Sequence, residues 1–126
     1  MSFEYLVDTF AWIEYYLGDD VKLKLLIETK NIATPTIVIA ELSDKFTREN
    51  EDFNDFFQFI SSRSKIIPLS VEIALSSGKF KSQMREKFKQ FGLVDSIIYL
   101  TAKLNNATLL TGDAHFKGLD NVEFIK

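Results

Sequence analysis

Apolar residues along this chain fall into short runs that alternate with longer stretches in which they recur every three or four positions. That is the pattern of buried strands exchanging with amphipathic helices. Residues 4 to 8, "EYLVD", read as a strand, and residues 9 to 18, "TFAWIEYYLG", as a helix stopped by glycine. Residues 19 to 30 form a second predicted helix, and "NIATP" a brief strand ended by Pro35. Residues 36 to 50 are helical, with Thr36 a candidate cap. In residues 51 to 60 the side chains of Phe53, Phe56, Phe57 and Ile60 share one helical face, read as core. A strand over 64 to 70 precedes a helix over 70 to 92, expected to break or kink near Gly78, whose stripe of Phe80, Met84, Phe88 and Phe91 faces inward. A helix over 94 to 106 and strands over 107 to 111 and 122 to 125 complete the chain. The alternation, with no hairpin turn in the first hundred residues, predicts an α/β fold: three α/β/α layers around a short, mostly parallel sheet.

Composition narrows this picture. A chain of 126 residues is most simply one domain, 1–126, and buries about two-thirds of the surface of its unfolded form. Cysteine is absent, which excludes disulfides and thiolate metal sites. No basic segment leads into a long apolar run, so no membrane association is expected and the predicted location is the cytoplasm. The net charge of −3 argues against coating nucleic acid through bulk positive charge, yet leaves room for a nuclease whose acidic metal site contributes to the balance. Twelve phenylalanines point to a large aromatic core or a buried interface.

The acids carry the candidate chemistry. Ligands of open parallel sheets bind beyond the carboxyl ends of the strands. Asp8 ends the first predicted strand, Asp113 follows "ATLLT", and Asp95 opens the helix "SIIYLTAKL". Glu41 is a carboxylate inside the apolar helical run "TIVIAEL". Taken singly, Asp8 and Asp95 are helix caps, Asp113 is a turn former and Glu41 lies on an exposed helix face. Gathered on one rim, four acids repel one another and raise their own pKa values unless a cation compensates. Such a cluster suits hard divalent ions, which take carboxylate oxygens and water.

Three blocks in this order, "YLVDTFAWIEYY", "TPTIVIAEL" and "GLVDSIIYLTAKLNNATLLTGDAHF", resemble the PIN-domain nucleases, and most closely the VapC toxins of prokaryotic toxin–antitoxin pairs. The resemblance runs over essentially the whole chain. It implies a magnesium- or manganese-dependent ribonuclease in which Asp8, Glu41, Asp95 and Asp113 are the catalytic, metal-binding acids. Thr9 and Thr111 match the supporting hydroxyl positions. It further implies an RNA substrate cut to 5′-phosphate and 3′-hydroxyl ends, a cognate antitoxin of a type II pair, and a homodimer.

Two positions depart from the family. Many relatives carry Asp or Asn two residues after the last acid, where this chain has His115, a poorer ligand for magnesium than a carboxylate. His115 is placed instead among residues facing substrate or as a position that tolerates manganese, with an ordinary surface histidine in a turn as the alternative. Tyr99, one helical turn after Asp95, replaces the usual small residue and is expected to pack beneath the site. The segment "KFKSQMREKFKQ" supplies a basic patch, with Lys79, Lys81 and Arg85 the candidate contacts to RNA and a solvated helix face the alternative.

Other readings differ in what they require. A housekeeping RNA-processing nuclease of the same fold shares every residue above, and a noncatalytic PIN-like interaction module would not need all four acids. A phosphotransfer receiver needs an aspartate after "IIPLS", which is missing. A haloacid-dehalogenase-type phosphatase needs a second Asp at position 10, which is Phe10.

Overall fold

The structure is a computed structural model that describes residues 2–125; residues 1 and 126, included in the single-domain reading, lie outside the described residues. Five strands, β1 (Tyr5–Val7), β2 (Ile32–Pro35), β3 (Lys65–Ile67), β4 (Thr108–Thr111) and β5 (Val122–Phe124), form one sheet in the order β3-β2-β1-β4-β5. Every pairing is parallel. The helices are α1 (Thr9–Leu17), α2 (Val21–Thr29), α3 (Thr36–Arg48), α4 (Asn54–Arg63), α5 (Val71–Met84) and α6 (Leu93–Leu104), with a 3-10 turn at Ala114–Phe116. Helices flank the sheet, α5 packing on α6 and α1 on α2 and α3, giving the predicted three-layer α/β/α fold.

Burial follows strand position. Every residue of β2 and nearly all of β4 are buried, as central strands covered on both faces must be, whereas the edge strands β3 and β5 are half-exposed. One core joins Leu6, Val7, Leu109 and Leu110 of the sheet to Trp12, Leu42, Phe56 and Ile60 of α1, α3 and α4, to Ile98 and Tyr99 of α6, and to Phe91 from the loop before α6. The aromatic face read in residues 51 to 60 belongs here: Phe56 and Ile60 are buried, and Phe53 is half-buried against Phe46.

Local boundaries depart from expectation for identifiable reasons. The helix expected to break near Gly78 runs through it without interruption, because the Gly78 site is open and α5 is held by its packing on α6. It ends at Met84 rather than at 92, where Arg85 Nε donates to the Phe91 carbonyl oxygen (2.6 Å) and closes a turn. Thr36 does not cap α3; it is the first helical residue, preceded by Pro35, which offers no side-chain acceptor. The aromatic helix starts at Asn54 and reaches Arg63, and the strand read over 64 to 70 contracts to β3. Gly18 does stop α1, with the left-handed φ of 81° that favours glycine.

Candidate active site

Strand order turns at β1. The chain winds outward from β1 through β2 to β3, then returns across the sheet to β4 on the opposite side of β1. The carboxyl ends of β1 and β4 therefore flank the topological switch point, where open α/β sheets leave a crevice. Asp8 follows β1 directly and Asp113 follows β4 by one residue, so the two leave the sheet side by side.

Asp8, Thr9, Glu41, Asp95 and Asp113 line one cleft there, with Phe10, Ile13, Ile98 and Phe116 as its apolar wall. Four segments far apart in sequence thus deliver four carboxylates to one place. Asp8 caps α1, accepting from the Ala11 amide (2.9 Å), and its second oxygen accepts from the Thr111 hydroxyl. Thr111 Oγ1 also accepts from the Asp113 amide (3.0 Å), so one hydroxyl fixes both acids. Thr9 Oγ1 donates to Glu41 Oε1 (2.5 Å), tying α1 to α3 across the cleft. Asp95 is the third residue of α6 rather than its cap residue, and its Oδ2 reaches back to accept from the Gly92 amide (2.8 Å).

The electrostatics of the cleft are dominated by its carboxylates. Asp8 is 2 % exposed, and burial pushes its carboxyl from 3.8 up to about 7; the Thr111 and Ala11 hydrogen bonds oppose that rise, while Asp113 and Glu41 add to it. No lysine or arginine lines the cleft, and none pairs with the four acids among the described residues. The nearest cationic candidate is His115, whose Nδ1 lies 2.8 Å from Asp95 Oδ2 and 3.7 Å from Asp113 Oδ1. Hard oxygen donors without a countercharge fit magnesium or manganese.

The other predicted residues lie elsewhere. Lys79 is on α5 beside a separate groove lined by Leu75, Phe80, Gln83 and Leu100; Lys81 is half-buried on the same helix, and Arg85 is engaged with Phe91. None of the three lines the acidic cleft. Tyr99 packs, as expected: it is buried, stacked on Phe80 at 5.7 Å, and its hydroxyl donates to the Asp120 carbonyl oxygen (2.8 Å) and side chain.

Sequence reasoning passed over Gly112 and Phe10. A Cβ at Gly112 would fall 2.4 Å from the Phe10 ring, so the glycine in "TGDA" is required by close approach rather than by a left-handed backbone. Gly112→Ala is expected to cost about 1–3 kcal/mol by displacing Phe10 and, with it, the Asp113 turn. Thermal melts of variant and parent check the value, and an unchanged melting temperature would show that Phe10 yields freely.

A parallel α/β domain with an acid-lined cleft at its switch point is the class of protein that the fold defines, and comparison with known proteins identifies the family. Residues 5–122 match the PIN domain model, and the chain belongs to the PIN domain family. No curated protein matches. Among solved structures, a toxin–antitoxin complex from Klebsiella pneumoniae is similar at 25 % identity and TM-score 0.76, covering 98 % of each chain. VapBC2 from Rickettsia felis, bound to a DNA fragment from its promoter, shows 26 % identity and TM-score 0.76 over 97 % of this chain and 98 % of that one. DNA-bound VapBC from Salmonella typhimurium, at 14 % identity and TM-score 0.75, covers 98 % and 99 % and shares the fold. No helix among the described residues is long and apolar enough to cross a membrane.

Proposed function

We propose that this protein is a magnesium- or manganese-dependent endoribonuclease, the toxin of a type II toxin–antitoxin pair acting in the cytoplasm. The observation that carries the reading is the convergence of Asp8, Glu41, Asp95 and Asp113 in one cleft of a PIN domain. Divalent ions held there would neutralise charge at the phosphate and make a water more acidic at neutral pH. Asp8, Asp95 and Asp113 hold the ions directly or through water. Glu41, braced by Thr9, orients the attacking water, and Thr111 keeps Asp8 and Asp113 at fixed separation. The apolar wall of Phe10, Ile13, Ile98 and Phe116 limits water around the acids and strengthens their field. Cleavage leaves 5′-phosphate and 3′-hydroxyl ends.

Partner surfaces complete the reading. A groove formed by Ile13, Tyr16, Leu17 and Phe46, rimmed by Lys45 and Glu49, suits an apolar antitoxin segment with charged flanks. Val71 and Leu75 on α5 are 75 % and 80 % exposed, an apolar face suited to homodimer formation. The complexes seen in similar proteins support the antitoxin partner.

The test is cleavage of a labelled mixed-sequence RNA panel with magnesium, with manganese and with EDTA, alongside Asp95→Asn. Cutting is expected with either ion, none with EDTA, and a loss of about a hundredfold in the variant. Folded parent protein that cuts no RNA with any ion would overturn the enzyme reading, and equal cutting by parent and variant would move the activity to another site.

A further inference from the structure

The acidic cleft differs from an all-oxygen site in one respect, the imidazole of His115. We propose that His115 Nδ1 is itself a ligand to the ion held between Asp95 and Asp113, so that this site favours manganese and similar transition ions over magnesium. The proposal rests on the metal-nuclease reading above and deepens it.

Backbone geometry fixes where the ring can go. Asp113 Oδ1 accepts from the His115 amide (2.9 Å), and the Asp113 amide is itself held by Thr111. On the other side Phe116 is buried, 1 % exposed, and meets Phe91 edge-on at 6.0 Å. His115 is thus pinned between a capped turn and a core anchor, and only its side chain is free to choose a direction. It turns toward the acids.

One ligand atom each from Asp95, Asp113 and His115 lie within 4.8 Å of one another. Neighbouring ligands of a six-coordinate ion sit about 3 Å apart, and opposite ones about 4.2 Å, when each bond is about 2.1 Å long. The separations of Nδ1 from Asp95 Oδ2, 2.8 Å, and from Asp113 Oδ1, 3.7 Å, fall in and near that range. At 2.8 Å Nδ1 and Asp95 Oδ2 are in hydrogen-bond contact. A neutral ring that carries its hydrogen on Nε2 would present the Nδ1 lone pair to an ion there, and any proton held on Nδ1 would leave to solvent in the exchange. No other side chain hydrogen-bonds to the ring among the described residues, and the side chain is 39 % exposed, so the exchange requires no core movement.

Ligand preference then sets the choice of ion. Magnesium holds oxygen donors and gives up water reluctantly, whereas manganese and the later first-row ions accept imidazole readily. A carboxylate at position 115 would make the donor set all oxygen and remove that bias.

The experiment is manganese titration of the whole protein followed by electron paramagnetic resonance, with magnesium as competitor, for parent, His115→Asp and His115→Gln. Circular dichroism melts establish that each is folded. Pulsed measurement of bound manganese in the parent is expected to show nitrogen hyperfine coupling that both variants lose. The ratio of manganese to magnesium affinity is expected to fall about tenfold or more in His115→Asp. Manganese bound to the parent without nitrogen coupling, or a ratio unchanged in His115→Asp, would overturn the role of His115 while leaving a metal nuclease in place. A folded parent that binds no manganese would overturn both.

Discussion

Asp8→Asn is expected to lower RNA cleavage by about a thousandfold or more and, in the same protein, to raise its thermal stability without metal at pH 8. The first effect follows from loss of the central carboxylate at the switch point. The second follows from its burial. Asp8 titrates near 7 in the folded chain against 3.8 as a free carboxyl, chiefly because the site is desolvated. Between those values the folded protein holds a proton that the unfolded chain has released. Its stability therefore falls as pH rises from about 4 to 7, and the whole penalty is present above 7. A shift of this size sets a ceiling of about 4 kcal/mol, which water entry into the cleft reduces to roughly 2. Asparagine keeps an oxygen for the Ala11 amide and can donate its own amide to Thr111 Oγ1, whose hydroxyl hydrogen then loses the acceptor it has in the parent.

The measurement is a set of melts in EDTA at pH 4.5 and pH 8. At pH 8 the variant is expected to melt roughly 5–10 °C above the parent, and at pH 4.5 the difference should be small. Manganese added at pH 8 should raise the parent's melting temperature far more than the variant's. A variant less stable than the parent at pH 8 would mean that Asp8 carries no uncompensated charge.

Trp12→Ala is expected to cost about 3–5 kcal/mol of folding stability, at the upper end of what truncating one core side chain removes. Trp12 is fully buried on the inner face of α1. Its ring meets Tyr15, Phe56 and Phe59 edge-on, at 5.8, 5.8 and 6.4 Å. Its Nε1 donates to Thr34 Oγ1 (3.0 Å), which in turn pairs with Ser64 Oγ (2.7 Å). One side chain therefore joins α1 to β2, to the start of β3 and to α4. Truncation opens a cavity beneath the helix that carries Asp8 at its cap and Thr9 in its first turn. Trp12→Phe separates the two contributions, retaining most of the packing and losing the hydrogen bond, for about 1–3 kcal/mol. Denaturant unfolding of both variants checks this. Equal losses would assign the effect to the hydrogen bond, and a negligible loss in Trp12→Ala would show that α4 closes over the gap.

Much of the architecture was legible because it depends on local chemistry. A strand buried on both faces needs an apolar run, and a helix against a sheet needs an apolar stripe, so the alternation and the parallel sheet follow from spacing. Asp8 and Asp113 were readable because an acid at the end of a strand is conspicuous, and both turn out to cap the turn that follows. Boundaries were less legible. The aromatic stripe of 80 to 91 keeps its period beyond Met84, yet the chain stops its helix there because Arg85 finds the Phe91 carbonyl. The same contact ties Arg85 to the approach to α6. On α2, Val21 and Leu25 follow an apolar stripe that remains exposed, while Leu23 and Ile27 face the core. Periodicity alone does not say which stripe a neighbour covers.

By itself, then, the sequence determined the α/β class, the positions of four acids at strand ends and in an apolar helix, and the block order that marks the family. Tertiary structure alone decided that β4 returns beside β1, which lets the Thr111 hydroxyl reach Asp8 across 103 positions. It decided that Phe10 excludes any Cβ at Gly112, and that the His115 ring meets Asp95 instead of solvent. Each of these is a contact between segments remote in the chain. Local propensity carries no information about such contacts, because the free energy that forms them comes from closing the whole core at once.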